Sequence, residues 1–406
     1  EYTDSLTVQF GQSTAVGAGL GASSNVDINL ANSAGTTDTV NLKLQNTSDT
    51  GSIDVDAAGV EVLNIALTTD AESHSLNLGG VAATSLSNTK INVTGGVAGD
   101  GLTISAIAST VNEIDASALA GTLTMTGSNT TAMTVTGGTA ADTIMMQHAS
   151  DVLNGGALTE GNTLDVNKAM VLGGIAVDLS STTDQVTTFN GAANSAAQTG
   201  FYHVDVSGMT GSFGADISAN KAGSTITGTA NADVMTLGAG VDTVLATDAV
   251  AGATSVNIDS ISGFTAGTGG DVLKISIADI EALTAVGDLV DSDGTSISAG
   301  TSVLEDIVDT TGETFADNDE TVIIYTGSTQ ASAAALADIF EAAGDTSLIW
   351  DVNPDVKDSM LVVWSDGTDA YVSVLSDADA DNAAAMDDGD LTVTNLVQLA
   401  GISSIT

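Results

Sequence analysis

The 406-residue chain contains no cysteine and a single proline, Pro354. Without cysteine, neither disulfide bonds nor thiolate metal sites can form. Because proline is almost absent, the turns must depend on glycine, asparagine and aspartate, as is expected where many turns need a positive φ. Any additional stabilisation of the fold therefore has to come from something other than a disulfide.

Positive charge is also scarce, since the chain has six lysines and no arginine against 52 acidic residues, for a formal net charge of −46. Nucleic acid is excluded as a partner, because phosphate binding needs clustered cations. Attachment to anionic lipid through a basic patch is disfavoured for the same reason. Two explanations of the carboxylates stay open: an acidic surface suited to salty water, or partial neutralisation by divalent cations.

Aromatic residues make up only 3% of the chain, and no apolar run reaches the length of about 18 residues that a membrane-spanning helix needs. Few aromatics are typical of disorder, but 43% hydrophobic residues in short, regularly spaced clusters argue against it. A narrow stacked coil accepts small aliphatic side chains in rows. The chain begins with Glu1 and shows no signal peptide, so it is expected to be a mature product or a fragment.

Short β-type clusters recur along residues 1–136, and they predict solenoid coils with loops of variable length. The alternation Leu-Thr-Met-Thr at 123–126 is typical of a strand with one buried face. The expected fold class is all-β, a parallel β-solenoid or β-roll with a small α+β C-terminal cap. The predicted strands lie at 63–67, 76–78, 91–93, 102–104, 123–125 and 133–135.

The sequence character changes twice more along the chain. Residues 137–275 are expected to form a degenerate calcium-binding β-roll, in which 167–222 is an insertion or a run of plainer coils. Residues 276–406 predict the mixed cap, with helices at 277–283 and 332–343 and strands at 321–325, 347–352, 360–364 and 370–375.

A short phrase recurs in the middle segment: a glycine-rich turn, then Asp, any residue and an apolar residue. It is a degenerate form of G-G-x-G-x-D-x-U-x, the nonapeptide of calcium-binding parallel β-rolls. Calcium takes six to eight oxygens, and glycine turns expose backbone carbonyls while the Asp supplies a carboxylate. Asp142 and Asp151 are nine residues apart, as are Asp233 and Asp242, which predicts equivalent positions on alternate sides of a roll.

Several calcium ions are therefore the expected cofactors. Asp151 has no glycine directly before it, and Asp233 follows Gly-Thr-Ala-Asn-Ala, so whether these two sites are complete stays open. The candidate metal ligands and turn residues are Gly137, Gly138, Asp142, Asp151, Gly155, Gly156, Asp165, Asn231, Asp233, Gly238, Gly240, Asp242, Gly267, Gly269, Asp271, Asp377, Asp379 and Asp381.

Two competing interpretations accompany these assignments, and one class of function is not expected. The phrases are also compatible with ordinary Gly/Asp turns of a solenoid that binds no metal. Asp377, Asp379 and Asp381 resemble the opening of an EF-hand loop but lack its turn glycine and terminal Glu, so a solvated acidic loop is the competing interpretation. Catalysis is not expected, because neither a G-x-S-x-G elbow nor an H-E-x-x-H helix occurs and the three histidines are isolated.

Several stretches resemble the RTX-type surface-layer proteins that Gram-negative bacteria such as Caulobacter export by type I secretion. The resemblance lies in Gly-Val-Glu-Val-Leu-Asn-Ile at 59–65, Ile-Asp-Ala-Ser-Ala-Leu-Ala-Gly-Thr-Leu-Thr at 114–124, Thr-Gly-Gly-Thr-Ala-Ala-Asp-Thr-Ile at 136–144, and the stretches 224–245 and 261–273. It runs with gaps over about residues 50–275.

The resemblance implies a calcium-dependent, L-shaped or rod-like solenoid that folds outside the cell and assembles with copies of itself into a two-dimensional lattice. It also implies an uncleaved export signal in the last part of 360–406 and anchoring to lipopolysaccharide through a region not seen in this chain. Adhesins, lipases and proteases share the nonapeptide, so an adhesin or exopolymer-associated filament with the same fold is the alternative function.

Overall fold

A computed structural model describes residues 5–10, 23–29, 38–44, 52–68, 73–80, 89–127, 131–157, 161–246, 258–276, 280, 307–308, 322–340, 359–377 and 391–405. The chain divides into two compact units, the first formed by 1–211 with 219–225 and the second by 212–218 with 226–406. No helix within the described ranges is both long and apolar enough to cross a membrane.

In the first unit, successive strands enter two parallel sheets in alternation, so that each turn of the chain contributes one strand to each sheet. This arrangement is a parallel β-solenoid and confirms the predicted fold class. The first sheet contains β1 (Ser5–Phe10), β3 (Thr39–Leu44), β5 (Val62–Leu67), β7 (Thr89–Gly95), β9 (Val111–Leu119), β11 (Thr134–Thr136), β13 (Val152–Asn154) and β19 (Gln198–Thr199). The second contains β2 (Ser23–Asn29), β4 (Ser52–Ala58), β6 (Ser73–Gly80), β8 (Gly101–Ile107), β10 (Thr122–Met125), β12 (Thr143–Met146), β14 (Thr163–Val166) and β20 (His203–Asp205).

The core of this solenoid consists of aliphatic side chains stacked in columns from coil to coil. Val40, Leu63 and Ile91 are register partners on β3, β5 and β7, and none of them is exposed to solvent. Alternate residues of these strands face outward, as the period-2 pattern predicts. Each buried aliphatic side chain contributes about 2 kcal/mol of hydrophobic stabilisation. All six strands predicted between residues 63 and 135 are present.

The chain leaves the regular coil after β14 and returns at β20, which pairs directly with β14. The excursion contains β15 (Ala169–Met170) and an antiparallel group made of β16 (Ile175–Asp178), β17 (Val186–Phe189) and β18 (Ala192–Ala193). A turn at Asn190 and Gly191, both with positive φ, joins β17 to β18. After the return, β21 (Thr210–Gly211) pairs with β15. These elements occupy most of the segment 167–222, where the repeat phrase is missing.

The second unit has one large mixed sheet in the order β22, β24, β26, β32, β31, β30, β29, β28 and a smaller parallel pair, β25 and β27. β23 (Thr225–Thr227) spans the point at which the chain passes between the two units. The bounds are β22 (Ala215–Ser218), β24 (Val234–Thr236), β25 (Thr243–Ala246), β26 (Asp259–Ser262), β27 (Val272–Ile275), β28 (Ile307–Val308), β29 (Val322–Tyr325), β30 (Ser359–Ser365), β31 (Ala370–Asp377) and β32 (Leu391–Ala400).

Helix α1 (Ala333–Phe340) packs against β32 and closes an aromatic-rich core. Phe340 meets Tyr325 edge-on at a ring separation of 5.6 Å, and the buried Trp364 donates its indole N–H to Ser373 Oγ at 2.9 Å. The predicted helix at 332–343 and the strands at 321–325, 360–364 and 370–375 are confirmed. The strand predicted at 347–352, and the helix at 277–283 apart from Ile280, lie outside the described residues.

Candidate functional site

The aspartates of the repeat phrase each lie one residue ahead of a strand. Asp142 precedes β12, and Asp151, nine residues later, precedes β13 in the other sheet. In the second unit Asp233 precedes β24 and Asp242 precedes β25, again in different sheets. Asp271 precedes β27. We call these five residues the rung aspartates.

Asp142 is 1% exposed, and both of its carboxylate oxygens accept backbone N–H groups. The Leu123 N–H, one coil earlier, donates to Oδ1 at 2.7 Å, and the Gly138 N–H of its own turn donates to Oδ2 at 2.5 Å. The carboxylate therefore joins the preceding coil to the turn that leads into its own strand.

Asp151 and Asp233 repeat this geometry. The N–H groups of Met133 and Ala215, each 18 residues earlier, donate to Oδ1 of Asp151 and Asp233 at 2.9 and 2.6 Å. The turn N–H of Thr229 donates to Asp233 Oδ2 at 2.6 Å, while Asp151 Oδ2 accepts the two turn N–H groups at 147 and 148. A coil of 18 residues corresponds to two nonapeptides, so these two aspartates occupy equivalent and complete positions of the repeat.

Asp271 and Asp242 are stacked partners at the start of β27 and β25. The Asp242 N–H donates to Asp271 Oδ1 at 2.8 Å, and the Thr265 N–H donates to Asp271 Oδ2 at 2.7 Å. The Gly238 N–H donates to Asp242 Oδ2 at 2.9 Å. All five rung aspartates thus accept a backbone N–H from the turn before them.

The turns ahead of the aspartates need glycine because the carboxylate and the neighbouring coil come very close to the turn backbone. A Cβ at Gly137 would lie 2.4 Å from the Gly155 carbonyl oxygen and 2.5 Å from Asp142 Oδ2. A Cβ at Gly228, five residues before Asp233, would lie 2.6 Å from Asp233 Oδ2. The glycines in the phrase therefore make room for the carboxylate and for the neighbouring coil.

The other predicted turn residues have diverse surroundings. Gly155 faces the Gly200 carbonyl at close range, and Gly156 adopts a φ of +105°. Asn231 donates through Nδ2 to the Phe213 carbonyl at 3.4 Å. Gly267 and Gly269 have positive φ, and a Cβ on either would meet nothing within 4 Å. Gly240 lies partly buried in the turn ahead of Asp242.

Four further side chains occupy the same place ahead of or at the start of a strand: Glu61, Asp100, Asn162 and Asp259. All four are buried, and a core residue follows each of them two positions later. These core residues are, in order, Leu63, Leu102, Leu164 and Ile261. That pattern, an acid or amide followed two residues later by an aliphatic residue, is visible in the sequence. The nine-residue spacing does not find them, because Glu61, Asn162 and Asp259 lie 23, 20 and 26 residues after their partners in the preceding coil, intervals that are not multiples of nine.

Burial raises the pKa of three rung aspartates, Asp142, Asp151 and Asp233, in spite of these hydrogen bonds. The pKa of Asp142 rises from 3.8 to about 6, because desolvation outweighs the opposing bonds from Leu123 and Gly138. Burial raises the pKa of Asp151 and Asp233 in the same direction, again against backbone N–H bonds that lower it. These carboxyls are therefore closer to neutrality than an exposed Asp.

The donor set around the rung aspartates does not fit calcium. Calcium needs six to eight oxygen ligands, whereas Asp142, Asp151, Asp233 and Asp271 direct both oxygens at N–H groups. Each N–H donor takes one of the lone pairs of these oxygens, which leaves fewer lone pairs for a cation. Within the described ranges, no group of three or more His, Asp or Glu side chains converges in a way that could hold a metal ion.

Asp165 differs from the rung aspartates. It lies within β14 on the outward-facing side and is the register partner of Asp205 on β20, one coil later. Asp205 accepts the Ser207 N–H and hydroxyl through Oδ1, at 2.9 and 2.6 Å. Burial, followed by the negative charge of Asp205, raises the pKa of Asp165 to about 6. Among the predicted ligands that the structure describes, Asp165 is distinguished by a second carboxylate, Asp205, at its register position one coil later.

The acidic segment at the predicted EF-hand-like position is only partly described. Asp377 is the last residue of β31, and Asp379 and Asp381 lie outside the described residues. Their predicted role as ligands stays a prediction.

Comparisons of the chain with protein-family models, with curated proteins and with solved structures found no match.

Proposed function

We propose that this chain is a structural protein of a bacterial cell surface, which assembles with copies of itself into a two-dimensional layer outside the cell. The observation that carries the proposal is the stacked solenoid of the first unit, in which the polar groups of the repeat phrase hold coil to coil. Such a scaffold presents long regular faces, which suit repeated contacts between identical copies. The stretches that resemble surface-layer proteins also support it.

The net charge of −46 indicates that cations take part in assembly. Copies of so acidic a protein repel each other, and divalent ions at the surface reduce that repulsion. We propose that calcium is bound by outward-facing carboxylates, with Asp165 and Asp205 as the first candidate pair. Two carboxylates supply too few oxygens for a full calcium shell, so water or a second copy would provide the remaining ligands.

Negative-stain electron microscopy of the purified chain tests the proposal. We expect ordered sheets at millimolar calcium and dispersal of the sheets in excess chelator. Chains that stay monodisperse in calcium at all concentrations, or that form isolated fibres, would contradict a layer. Fibres would favour the filament alternative.

The double variant Asp165→Asn with Asp205→Asn tests the candidate pair. We expect it to need a higher calcium concentration for assembly than the unmodified chain. A matched control is Asp178→Asn with Asp216→Asn, which removes the same charge from strands elsewhere in the described fold. An equal shift in both double variants would show that only the total charge matters.

A further inference from the structure

A single hydrogen-bond pattern recurs at seven acids or amides that precede or open a strand. In each case a side-chain oxygen accepts the backbone N–H of its register partner one coil earlier, at 2.6 to 2.9 Å. The acceptor and donor residues are Glu61 with Asp38, Asp142 with Leu123, Asp151 with Met133, Asn162 with Asp142, Asp233 with Ala215, Asp259 with Asp233, and Asp271 with Asp242.

The pattern meets a need that the solenoid itself creates. Most of these N–H groups lie at the corner just before a strand, where the sheet ladder has not yet begun. A buried N–H that lacks an acceptor is costly, so the corner requires an acceptor from outside the ladder. The side chain of the next coil supplies it, and its second oxygen can hold its own turn.

The acceptor side chains show whether the corner N–H groups need a negative charge or only an oxygen atom. Asn162 occupies the same column as Asp142 and bonds the Asp142 N–H through its neutral amide oxygen at 2.9 Å. Its Nδ2 donates to the Gly200 carbonyl at 3.0 Å. An ionised carboxylate could not make this bond, because it has no N–H or O–H to donate. Glu61 bonds the Asp38 N–H with a longer side chain. The shared property is an oxygen aimed at an N–H, and negative charge is dispensable.

We propose that four of the rung aspartates, Asp142, Asp151, Asp233 and Asp271, are intramolecular staples that bind backbone N–H groups of the preceding coil and of their own turn, and that the solenoid folds through them without calcium. The nonapeptide-like phrase thus stabilises the fold, and any calcium acts elsewhere on the molecule. This inference stands independently of the proposed surface-layer function, since it concerns the isolated chain.

Thermal unfolding of the full chain and of Asp233→Asn, each in excess calcium and in excess chelator, tests the proposal. In Asn one of the two oxygens that accept from Ala215 and Thr229 is replaced by an NH2 group, a donor that faces the N–H at that position. We expect the midpoint to fall by about 3–8 °C in this variant. The fall should be equal in calcium and in chelator. Asp216→Asn, an exposed carboxylate on the neighbouring strand β22, is the control and should change the midpoint little.

Two outcomes would overturn the proposal: a fall in calcium that disappears in chelator, as a lost ligand would give, or no fall in either condition. Asp271→Asn repeats the measurement at a second site. Hydrogen exchange of the unmodified chain covers the case in which the variants do not fold. Amides of the turns at 138–142 and 229–233 should stay protected in chelator, and their loss of protection would also refute the staple.

Discussion

A buried carboxylate that accepts backbone N–H groups responds to pH differently from one in water. Its charge is stabilised by the N–H dipoles and destabilised by the loss of solvent. For Asp142 desolvation is the larger effect and raises its pKa to about 6. A native state that carries such groups binds more protons than the unfolded chain between pH 4 and 6.

The first prediction is that the protein becomes more stable as the pH falls from 7 towards 4. A raised native pKa adds stability that is fully present below the unfolded value of 3.8 and is lost as the pH rises through about 6. For Asp142 the difference is on the order of 2–3 kcal/mol. Urea unfolding at a series of pH values measures it.

The variant Asp142→Asn separates this effect from general charge repulsion. The unmodified chain should gain more stability than the variant as the pH falls, because the amide does not titrate. Asp216→Asn is the control and should follow the unmodified chain. Parallel pH profiles for the chain and Asp142→Asn would contradict the assignment.

The second prediction concerns the glycine that makes room for the staple. Gly137→Ala places a methyl group 2.4 Å from the Gly155 oxygen and 2.5 Å from Asp142 Oδ2, so the turn or the staple must shift. We expect a loss of about 2–4 kcal/mol in the free energy of unfolding.

Gly269→Ala is the comparison, because a Cβ there meets nothing within 4 Å although φ is +78°. Its cost should be about 1 kcal/mol, from the left-handed backbone alone. Equal losses for the two variants, measured by urea unfolding, would show that crowding at Gly137 is relieved without cost.

Strands of the coil could be predicted from the sequence where alternation is undisturbed. The clusters that become β5, β7 and β8 alternate small aliphatic residues with polar ones, and the register then stacks the aliphatic residues into columns. β32 was not predicted, although it is the longest strand of the cap. It is held by antiparallel pairing with β31 and parallel pairing with β26, which are contacts distant in sequence.

The positions of the candidate site could be predicted from the sequence, whereas the hydrogen-bond partners of its carboxylates could not. A glycine-rich turn followed by Asp locates Asp142, Asp242 and Asp271, and the nine-residue interval locates Asp151 and Asp233. Whether the carboxylate faces a cation or an N–H depends on the direction of the neighbouring coil's backbone, which a one-dimensional pattern does not contain. Asn162 was missed because the pattern was restricted to acids.

The excursion between β14 and β20 is attached to the coil by a buried amide. Gln185 is 2% exposed, donates through Nε2 to the carbonyls of Leu179 and Phe201, and accepts the Phe201 N–H at 2.9 Å. The Gln185 backbone N–H also donates to the carbonyl of Gln198, a register partner of Leu153 in the first sheet, at 2.7 Å. These bonds join the antiparallel group to the regular coil.

The third prediction is that Gln185→Leu loosens this attachment. The substitution removes the Gln185 partner of the Phe201 carbonyl and N–H, whereas the Leu179 carbonyl keeps its bond from Asn220 Nδ2, and we expect a cost of about 2–4 kcal/mol. Hydrogen exchange should accelerate in peptides from 175–201 more than in the coil at 39–67. Gln147→Leu is the matched control, because the Gln147 amide is partly exposed and bonds only Met145 Sδ among the contacts described. Uniform acceleration along the chain in both variants would contradict a local role.

Charge sets the behaviour of the full chain in solution. Positive partners for the acids are few, and Lys90 illustrates this by serving two carboxylates, at 2.6 Å from Glu113 and 3.6 Å from Asp115. Repulsion among the remaining carboxylates destabilises the compact state and keeps copies apart. Folding and assembly should therefore both respond to cations, but through different mechanisms: screening for the fold and specific binding for the layer.

The fourth prediction uses this difference. Raising sodium chloride from 0.02 to 1 M shortens the Debye length from more than 20 Å to about 3 Å, so the urea midpoint of the isolated chain should rise. Calcium chloride at matched ionic strength should give about the same rise, because the staples that hold the coils need no metal. Light scattering at higher chain concentration in the same two salts should show large assemblies in calcium and none in sodium. A rise of the midpoint in calcium far above that in sodium, at chain concentrations too low for assembly, would show instead that calcium binds the folded coil itself.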